Sequence, residues 1–202
     1  MQSAQRAGHM KQDKRDRRSQ RTRQLVLSAT MDLLFERPYD QITVQDILDR
    51  ANIGRSTFYT HYFDKQDVLA SIVEQQIDLL SQQLAERGDG QTLIPSLELF
   101  QHVRRHKQYF RAMLRGEAGA TFWEAAQTAG SRVIEQALAA RMTESSAAVV
   151  PLPVMARYLA GALLNLLKWW LEVEAPYSPE QMDEIFQRLA LPGVWAVIGD
   201  ES

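Results

Sequence analysis

A short segment in the first third of the chain places several polar side chains at the start of a predicted helix, directly after a turn. Arg55, Ser56 and Tyr59 share one side of this helix, whereas Phe58 and Tyr62 share the other. Guanidinium and hydroxyl groups donate hydrogen bonds to phosphate oxygens and to the edges of bases. A second helix that presents polar groups after a tight turn is typical of a helix-turn-helix, which inserts it into the major groove of DNA.

The helix before the turn must position these side chains. Thr43 and Asp46 have the spacing of a capping box, in which a hydroxyl and a carboxylate satisfy backbone N–H groups at the helix start. Residues 52–54 form the turn, and Asn52 and Gly54 both tolerate positive φ. The apolar stripe predicts helices over residues 43–51 and 55–62, and it consists of Val44, Ile47, Leu48 and Ala51 in the first helix.

A second capping device is predicted where the next helix begins. Asp64 and Asp67 repeat the spacing of the first box, and Phe63 and Val68 are placed to form a hydrophobic staple around it. The helix that follows is expected to link the DNA-binding segment to the rest of the chain.

The remaining apolar residues recur at helical spacing. They predict helices over residues 24–36, 65–84, 95–105, 107–115, 118–142, 154–173 and 178–189, and an apolar tail over 191–198 that packs back. No strand alternation or internal repeat is present. The fold class is therefore expected to be all-α, with an N-terminal three-helix helix-turn-helix head and a C-terminal helical bundle.

Charge is distributed unevenly, although the formal net charge is only −2. Residues 1–65 carry 12 Lys and Arg against 8 Asp and Glu, a net charge of +4, and residues 66–202 carry 11 against 17, a net charge of −6. This difference fits a head that binds a polyanion and a body that stays away from it, although chance scatter is an alternative.

The chain begins with a polar and basic stretch. Residues 1–9 resemble a tag remnant, and Met10 is our expected native start. Residues 11–23 are strongly basic and form either an arm or helix extension that contacts DNA phosphates, or a solvated disordered leader. We treat residues 1–20 as a tag remnant and a flexible basic leader.

Composition excludes several classes of function. Because the chain has no cysteine, disulfides, thiolate metal sites and cysteine nucleophiles are excluded. We see no nucleophile–base constellation or phosphate-binding glycine loop, so we expect neither an enzyme nor a cofactor. The N-terminus lacks the apolar core of a signal peptide, and the apolar residues 155–171 include Arg157, Asn165 and Lys168. We therefore predict a cytoplasmic protein whose apolar helix is buried or shared with a partner subunit, not a membrane span.

One set of side chains has the spacing of metal ligands. Glu98, His102 and His106 lie at i, i+4 and i+8 on one face of a predicted helix. With no further ligand in view, an exposed polar face is the other interpretation, and we predict no metal site.

Within residues 42–69 the sequence resembles the TetR family (TetR/AcrR type) of bacterial transcriptional regulators. Residues 100–115, 169–171 and 177–180 also resemble one branch of TetR-type C-terminal domains. Asn52 and Gly54 depart from the family, which usually has a glycine and a capping Ser or Thr there, but both suit a turn or cap. The first resemblance rests on Thr43, Ile47, Ala51, Ile53, Thr57, Tyr59, His61, Tyr62, Lys65, Asp67 and Leu69.

The resemblance implies a homodimer that regulates transcription, in the usual sense of the family a repressor. It would bind a palindromic operator in double-stranded DNA and be released by a small-molecule effector. Each subunit would contain a DNA-binding domain at residues 21–66 and a ligand-binding and dimerisation domain at residues 67–202. The alternative is a co-regulator of the same fold that binds a ligand or a protein without binding DNA.

The resemblance also assigns the DNA contacts. Base-contacting positions fall on Gln45, Arg55 and Ser56. Arg55 is the leading candidate for specificity because a guanidinium matches O6 and N7 of guanine with two hydrogen bonds. For Tyr59 and His61, packing of the head against the linking helix is the alternative role. Phosphate-contacting positions fall on Thr43, Thr57, Tyr59, His61 and Lys65.

In the body, the resemblance implies an effector site between the linking helix and the three helices after it. Its candidate lining residues are His102, Tyr109, Phe110, Met113, Phe122, Trp123 and Trp169. Aromatic residues at helical spacing also form plain core, so each residue has that alternative. The dimer interface is expected on the last two long helices, at Leu159, Leu163, Leu166, Leu167, Trp170, Met182, Ile185 and Phe186.

Overall fold

The computed structural model describes residues 2–87, 94–114, 116, 118–141, 150–173 and 176–198. Its regular elements in these ranges are all helical, as the sequence predicted. A 3₁₀ turn (Tyr39–Gln41) separates the first two α-helices. The α-helices are α1 (Gln2–Glu36), α2 (Val44–Ala51), α3 (Arg55–Tyr59), α4 (Lys65–Arg87), α5 (Ser96–Arg105), α6 (Lys107–Leu114), α7 (Ala118–Ala139), α8 (Leu152–Glu172) and α9 (Pro179–Ile198).

The capping box predicted for α2 is present. Asp46 N–H donates to Thr43 Oγ1 at 3.2 Å, and Thr43 N–H donates to Asp46 Oδ2 at 2.8 Å. The helix ends at Ala51, and the residue that caps it, Asn52, has a left-handed φ of 51°. Gly54 has a φ of −76°, so only Asn52 uses positive φ in this turn. The backbone of the turn therefore depends on one residue instead of two.

The second helix of the motif is shorter than predicted. α3 ends at Tyr59, although Tyr62 still reaches the core. The predicted staple is wrong because Phe63 is 85% exposed. The cap itself is present: Asp67 N–H donates to Asp64 Oδ1 at 2.8 Å, and Phe63 N–H donates to Asp67 Oδ2 at 3.0 Å.

The N-terminal leader is helical in the structure. α1 runs without interruption from Gln2 to Glu36, which corresponds to the helix extension among the alternatives that the sequence left open for the basic residues 11–23. Residues 9–23 contain neither glycine nor proline and are rich in Gln, Lys and Arg, which favour helix. The leader is thus an extension of the first helix of the head.

The body is built around α7, which packs against both α4 and α8, while α5 packs against α9. One apolar cluster continues from the head into the body through α4. α9 passes through Pro192 to Ile198, so the tail expected to pack back separately extends the last helix, and Leu189 is 71% exposed. Among the described residues, no helix is long and apolar enough to cross a membrane.

Candidate functional site

Arg55 is held in place by the helix before the turn. Its Nη2 donates to Gln45 Oε1 at 2.9 Å, and Gln45 Nε2 donates to Asp49 Oδ1 at 2.8 Å. Both Gln45 and Arg55 are exposed, and Arg55 has no ion-pair partner within the described part of the chain. The structure therefore brings together two of the three base-contacting candidates and leaves the guanidinium charge available to a partner.

The other polar residues of α3 are also on the surface. Ser56 and Thr57 are exposed, and Tyr59 is 52% exposed while its ring packs edge-on against Phe58 at 5.3 Å. Packing and solvent contact are thus combined in Tyr59, which leaves its hydroxyl accessible. His61 differs because burial, and then Arg23, lower its pKa. A neutral imidazole offers a phosphate one N–H donor and no charge.

Two predicted phosphate contacts have internal roles. The Thr43 hydroxyl donates to Asp46 Oδ2 at 2.6 Å within the capping box. Lys65 Nζ donates to Tyr39 O at 3.2 Å and to Ile42 O at 3.0 Å, and it lies 4.4 Å from the centre of the Tyr39 ring. Contact of these residues with phosphate remains a prediction. The capping role of Thr43 was predicted from its spacing to Asp46, whereas no local pattern indicated that Lys65 also supports the fold of the head.

Ion pairs join the end of α1 to α2. Arg37 lies 2.9 Å from Asp46, and Arg50 lies 2.7 Å from Glu36. The hydrogen bonds from Thr43, followed by that from Arg37, lower the pKa of Asp46 to about 2. The carboxylate of the capping box is therefore ionised at neutral pH and attached to both helices.

A second candidate site lies inside the body. An apolar cavity of about 310 Å³ is enclosed by side chains of α1, α4, α5, α6, α7 and α8. Three of the predicted lining residues, His102, Phe110 and Phe122, lie in its wall. The sequence interpretation missed the contribution of α1, which supplies Met31 and Phe35, because nothing in the local pattern marks a residue of the head as part of the body.

The other predicted lining residues do not join this wall. Trp123 packs against Phe122 but is not among the lining residues. Trp169 is 44% exposed, and its ring centre lies 6.2 Å from that of Tyr177. The side chains of Tyr109 and Met113 lie outside the described residues.

The polar part of the cavity is a pair of imidazoles. The His102 ring centre lies 5.1 Å from that of His106 and 5.7 Å from that of Phe110. Burial, followed by the charges of His106 and Arg105, lowers the pKa of His102. Among the described lining residues, the only other hydrogen-bonding side chain is Gln76. The wall thus accepts apolar groups, with three side chains that can form hydrogen bonds.

Glu98, His102 and His106, which have the sequence spacing of metal ligands, are not brought together as a group that could hold a metal ion. Glu98 is only 6% exposed, whereas His102 and His106 face the cavity. No group of three or more His, Asp or Glu side chains placed to hold an ion occurs within the described ranges.

The predicted dimer residues are largely core of the single subunit. Leu166 and Ile185 are partly buried against that core. The predicted place in the dimer interface is wrong for the other six residues, because the most apolar face of each helix packs into the core of the subunit. The residues with at most 6% exposure are Leu159, Leu163, Leu167, Trp170, Met182 and Phe186.

A different face of α8 is exposed. Val154 is 57%, Tyr158 68% and Val173 54% exposed, and Trp169 belongs to the same stripe. These positions fall within an arc of about 100° on the helix. Asn165 lies on this exposed face and donates to Gly161 O at 2.9 Å.

A three-helix head with an exposed helix after its turn, joined by a long helix to a helical body, places the protein among the helix-turn-helix transcriptional regulators. Residues 26–72 match the family model of bacterial regulatory proteins of the tetR family, and residues 95–191 match a model for a transcriptional regulator C-terminal region. The protein belongs to the TetR family of transcriptional regulators, as the resemblance in the sequence indicated.

Individual relatives match mainly in the head. The HTH-type transcriptional regulator YxbF of Bacillus subtilis is 42% identical over 60 residues, which are 29% of this chain and 16% of YxbF. The alignments span at most 30% of the length of the curated relatives.

Solved structures match over most of the chain. A TetR regulator from Streptococcus agalactiae has 25% identity and a TM-score of 0.56, and the match covers 87% of this chain and 97% of that one. Thermus thermophilus FadR, a TetR-family repressor in complex with lauroyl-CoA, has 20% identity and a TM-score of 0.60, with 89% and 97% covered. The likeness to FadR shows the fold alone.

Proposed function

We propose that this regulator is a homodimeric repressor that binds a palindromic operator and is released when a small molecule enters the body. The observation that carries the proposal is the Arg55–Gln45 contact, which holds an unneutralised guanidinium at the start of α3. A positioned Arg loses little side-chain freedom on binding a guanine, so it is well placed for base readout. Two such heads would read half-sites about 34 Å apart, or a multiple of that spacing.

Duplex binding as a function of salt tests the DNA-binding part. We expect affinity for a selected oligonucleotide to fall steeply as salt increases, because displaced counterions accompany each phosphate contact. Arg55→Ala should lose about 5–150-fold on the selected sequence, the equivalent of about 1–3 kcal/mol, and little on random DNA. Tyr59→Phe, which keeps the ring, should weaken binding to all sequences alike. Absence of binding at low salt would favour the co-regulator alternative.

The homodimer is proposed to form through the exposed stripe of α8, together with Leu189 of α9. Contiguous exposed apolar side chains on a soluble protein mark interaction surfaces. Tyr158→Glu should convert a dimer into a folded monomer in light-scattering measurements, whereas Gln136→Glu on the exposed face of α7 should leave the dimer intact. A wild-type monomer at micromolar concentration contradicts the proposal.

The effector is proposed to occupy the cavity, whose wall includes Met31 and Phe35 of α1 and Leu69 and Ile72 of α4. A ligand there contacts the helices that carry the head, so a difference in ligand affinity between two head positions shifts their populations. Small molecules that raise the melting temperature should also weaken duplex binding. Ala126→Phe, which places a ring in the cavity, should abolish both effects. Stabilisation without any change in DNA affinity contradicts this coupling.

A further inference from the structure

The cavity ends beside a second, differently charged groove. This groove, of about 720 Å³, lies between the end of α1 and the α5–α6 junction. Phe35 and His106 line both the cavity and the groove, and their ring centres are 6.5 Å apart. The two spaces therefore meet at this pair of rings.

The charges of the groove are mainly positive. Four cationic side chains line it, against the single carboxylate of Glu36, which is already paired with Arg50 at 2.7 Å. Two of the cations, Arg105 and Lys107, have no ion-pair partner among the residues that the structure describes. The four cations are Arg37, Arg104, Arg105 and Lys107.

The lining of the cavity, in contrast to that of the groove, is almost entirely apolar. No Asp, Glu, Lys or Arg occurs among its described lining residues. A charged group deep inside it would be desolvated without an Asp, Glu, Lys or Arg partner, at a cost of several kcal/mol or more, so a charged ligand must keep its charge outside. The groove offers the nearest compensation, and guanidinium groups bind carboxylates and phosphates with two hydrogen bonds.

We propose that the cavity and the groove together bind one amphipathic anion, with its hydrocarbon portion in the cavity and its acidic group among the cations of the groove. The inference rests on the proposal that the body holds an effector, and it specifies the chemical class of that effector. Such a molecule passes beside Phe35 and His106, which line both spaces, and touches the head through Arg37, whose other partner is Asp46 at the cap of α2.

A series of probes with one tail and different head groups tests the inference on the full-length protein by calorimetry. The probes are decanoate, decyl phosphate, decanol and decylammonium. We expect decanoate and decyl phosphate to bind about 10-fold or more tighter than decanol, and decylammonium to bind more weakly than decanol. The ratio of the two anions distinguishes a carboxylate site from a phosphate site. Their advantage over decanol should shrink as salt is increased.

Substitutions then locate the charge. The double variant Arg105→Gln, Lys107→Gln should lose about 10-fold in affinity for decanoate and change less than about twofold for decanol. Arg188→Gln is the matched control because this exposed side chain lies on α9 and pairs with Glu184. The salt dependence of the unmodified protein provides a test that does not depend on any variant folding.

Equal affinity for decanoate and decanol, or anion binding that is insensitive to salt and to the double substitution, overturns the inference and leaves a neutral-ligand cavity. Failure of all four probes to bind also overturns it. Neither result bears on duplex binding by the free protein, which is measured separately and tests the proposed function.

Discussion

In the head, Phe58 is fully buried, with Tyr59 edge-on at 5.3 Å and Tyr62 at 5.7 Å. In the body, Phe122 is also buried, but it borders a cavity of about 310 Å³. The head packs these rings directly against one another and places its polar groups outside, where DNA is expected. The body leaves its interior partly empty. A closely packed core fixes one backbone geometry, which suits recognition of DNA. In a core with a cavity, a small molecule can make the van der Waals contacts that the lining side chains lack.

The largest effect is expected from removing one ring on each side of this comparison. Phe58→Ala should lower the free energy of unfolding by about 3–5 kcal/mol because it opens a void in a packed core. Phe122→Ala should lower the free energy of unfolding by at least about 1 kcal/mol less than Phe58→Ala does, since the Phe122 ring already lacks neighbours on the cavity side. Denaturant unfolding followed by circular dichroism measures both. Equal losses would show that the body is packed as fully as the head.

The next effect concerns Lys65. Lys65→Met keeps the aliphatic stem but removes the donors to Tyr39 O and Ile42 O, so we expect a loss of about 1.5–3 kcal/mol without DNA present. Lys168→Met, at an exposed position of the body, should change stability by less than about 0.5 kcal/mol. If Lys65→Met leaves the free energy of unfolding unchanged, the two hydrogen bonds of Lys65 do not stabilise the head, and contact with phosphate is its only remaining predicted role.

Head and body each contain a capping box, which permits a matched comparison. In α9, Gln181 N–H donates to Ser178 Oγ at 3.2 Å and Ser178 N–H donates to Gln181 Oε1 at 2.8 Å. Thr43→Ala and Ser178→Ala should each cost about 1 kcal/mol in unfolding free energy. Only Thr43→Ala should also weaken duplex binding, because α2 carries Gln45. A similar loss of DNA affinity in both variants would contradict the assignment of function to the head.

The smallest effect is a pH dependence. The pKa of Asp46 is about 2 in the folded protein, below its ordinary value of 3.8, so its contribution is present above pH 3.8 and is lost as pH falls towards 2. The unfolding midpoint should therefore fall less steeply below pH 4 in Asp46→Asn than in the unsubstituted protein. Glu180→Gln is the counterpart in the body, where the hydrogen bond from Ser178 also lowers the carboxyl pKa. If the unfolding midpoints of Asp46→Asn and the unsubstituted protein fall equally steeply below pH 4, Asp46 does not contribute to the loss of stability in acid.

The sequence predicted the features that depend on neighbours in the chain. The Thr43–Asp46 box, the Asn52 turn and the helical class follow from residues a few positions apart, and all are present. The predictions failed where they depended on which surface the apolar face of a helix packs against. Leu163 and Leu167 form an apolar stripe that suits a dimer interface and a subunit core equally well, and the structure uses it for the core.

By itself, the sequence determined the all-α class and the position of the helix-turn-helix, because capping, turn formation and helical periodicity are local. Only the tertiary structure decided which faces are buried, that Met31 and Phe35 of α1 help to enclose the cavity, and that Phe35 and His106 join the cavity to the cationic groove. These features combine side chains far apart in sequence. Their proximity depends on the packing of whole helices, which no local pattern encodes.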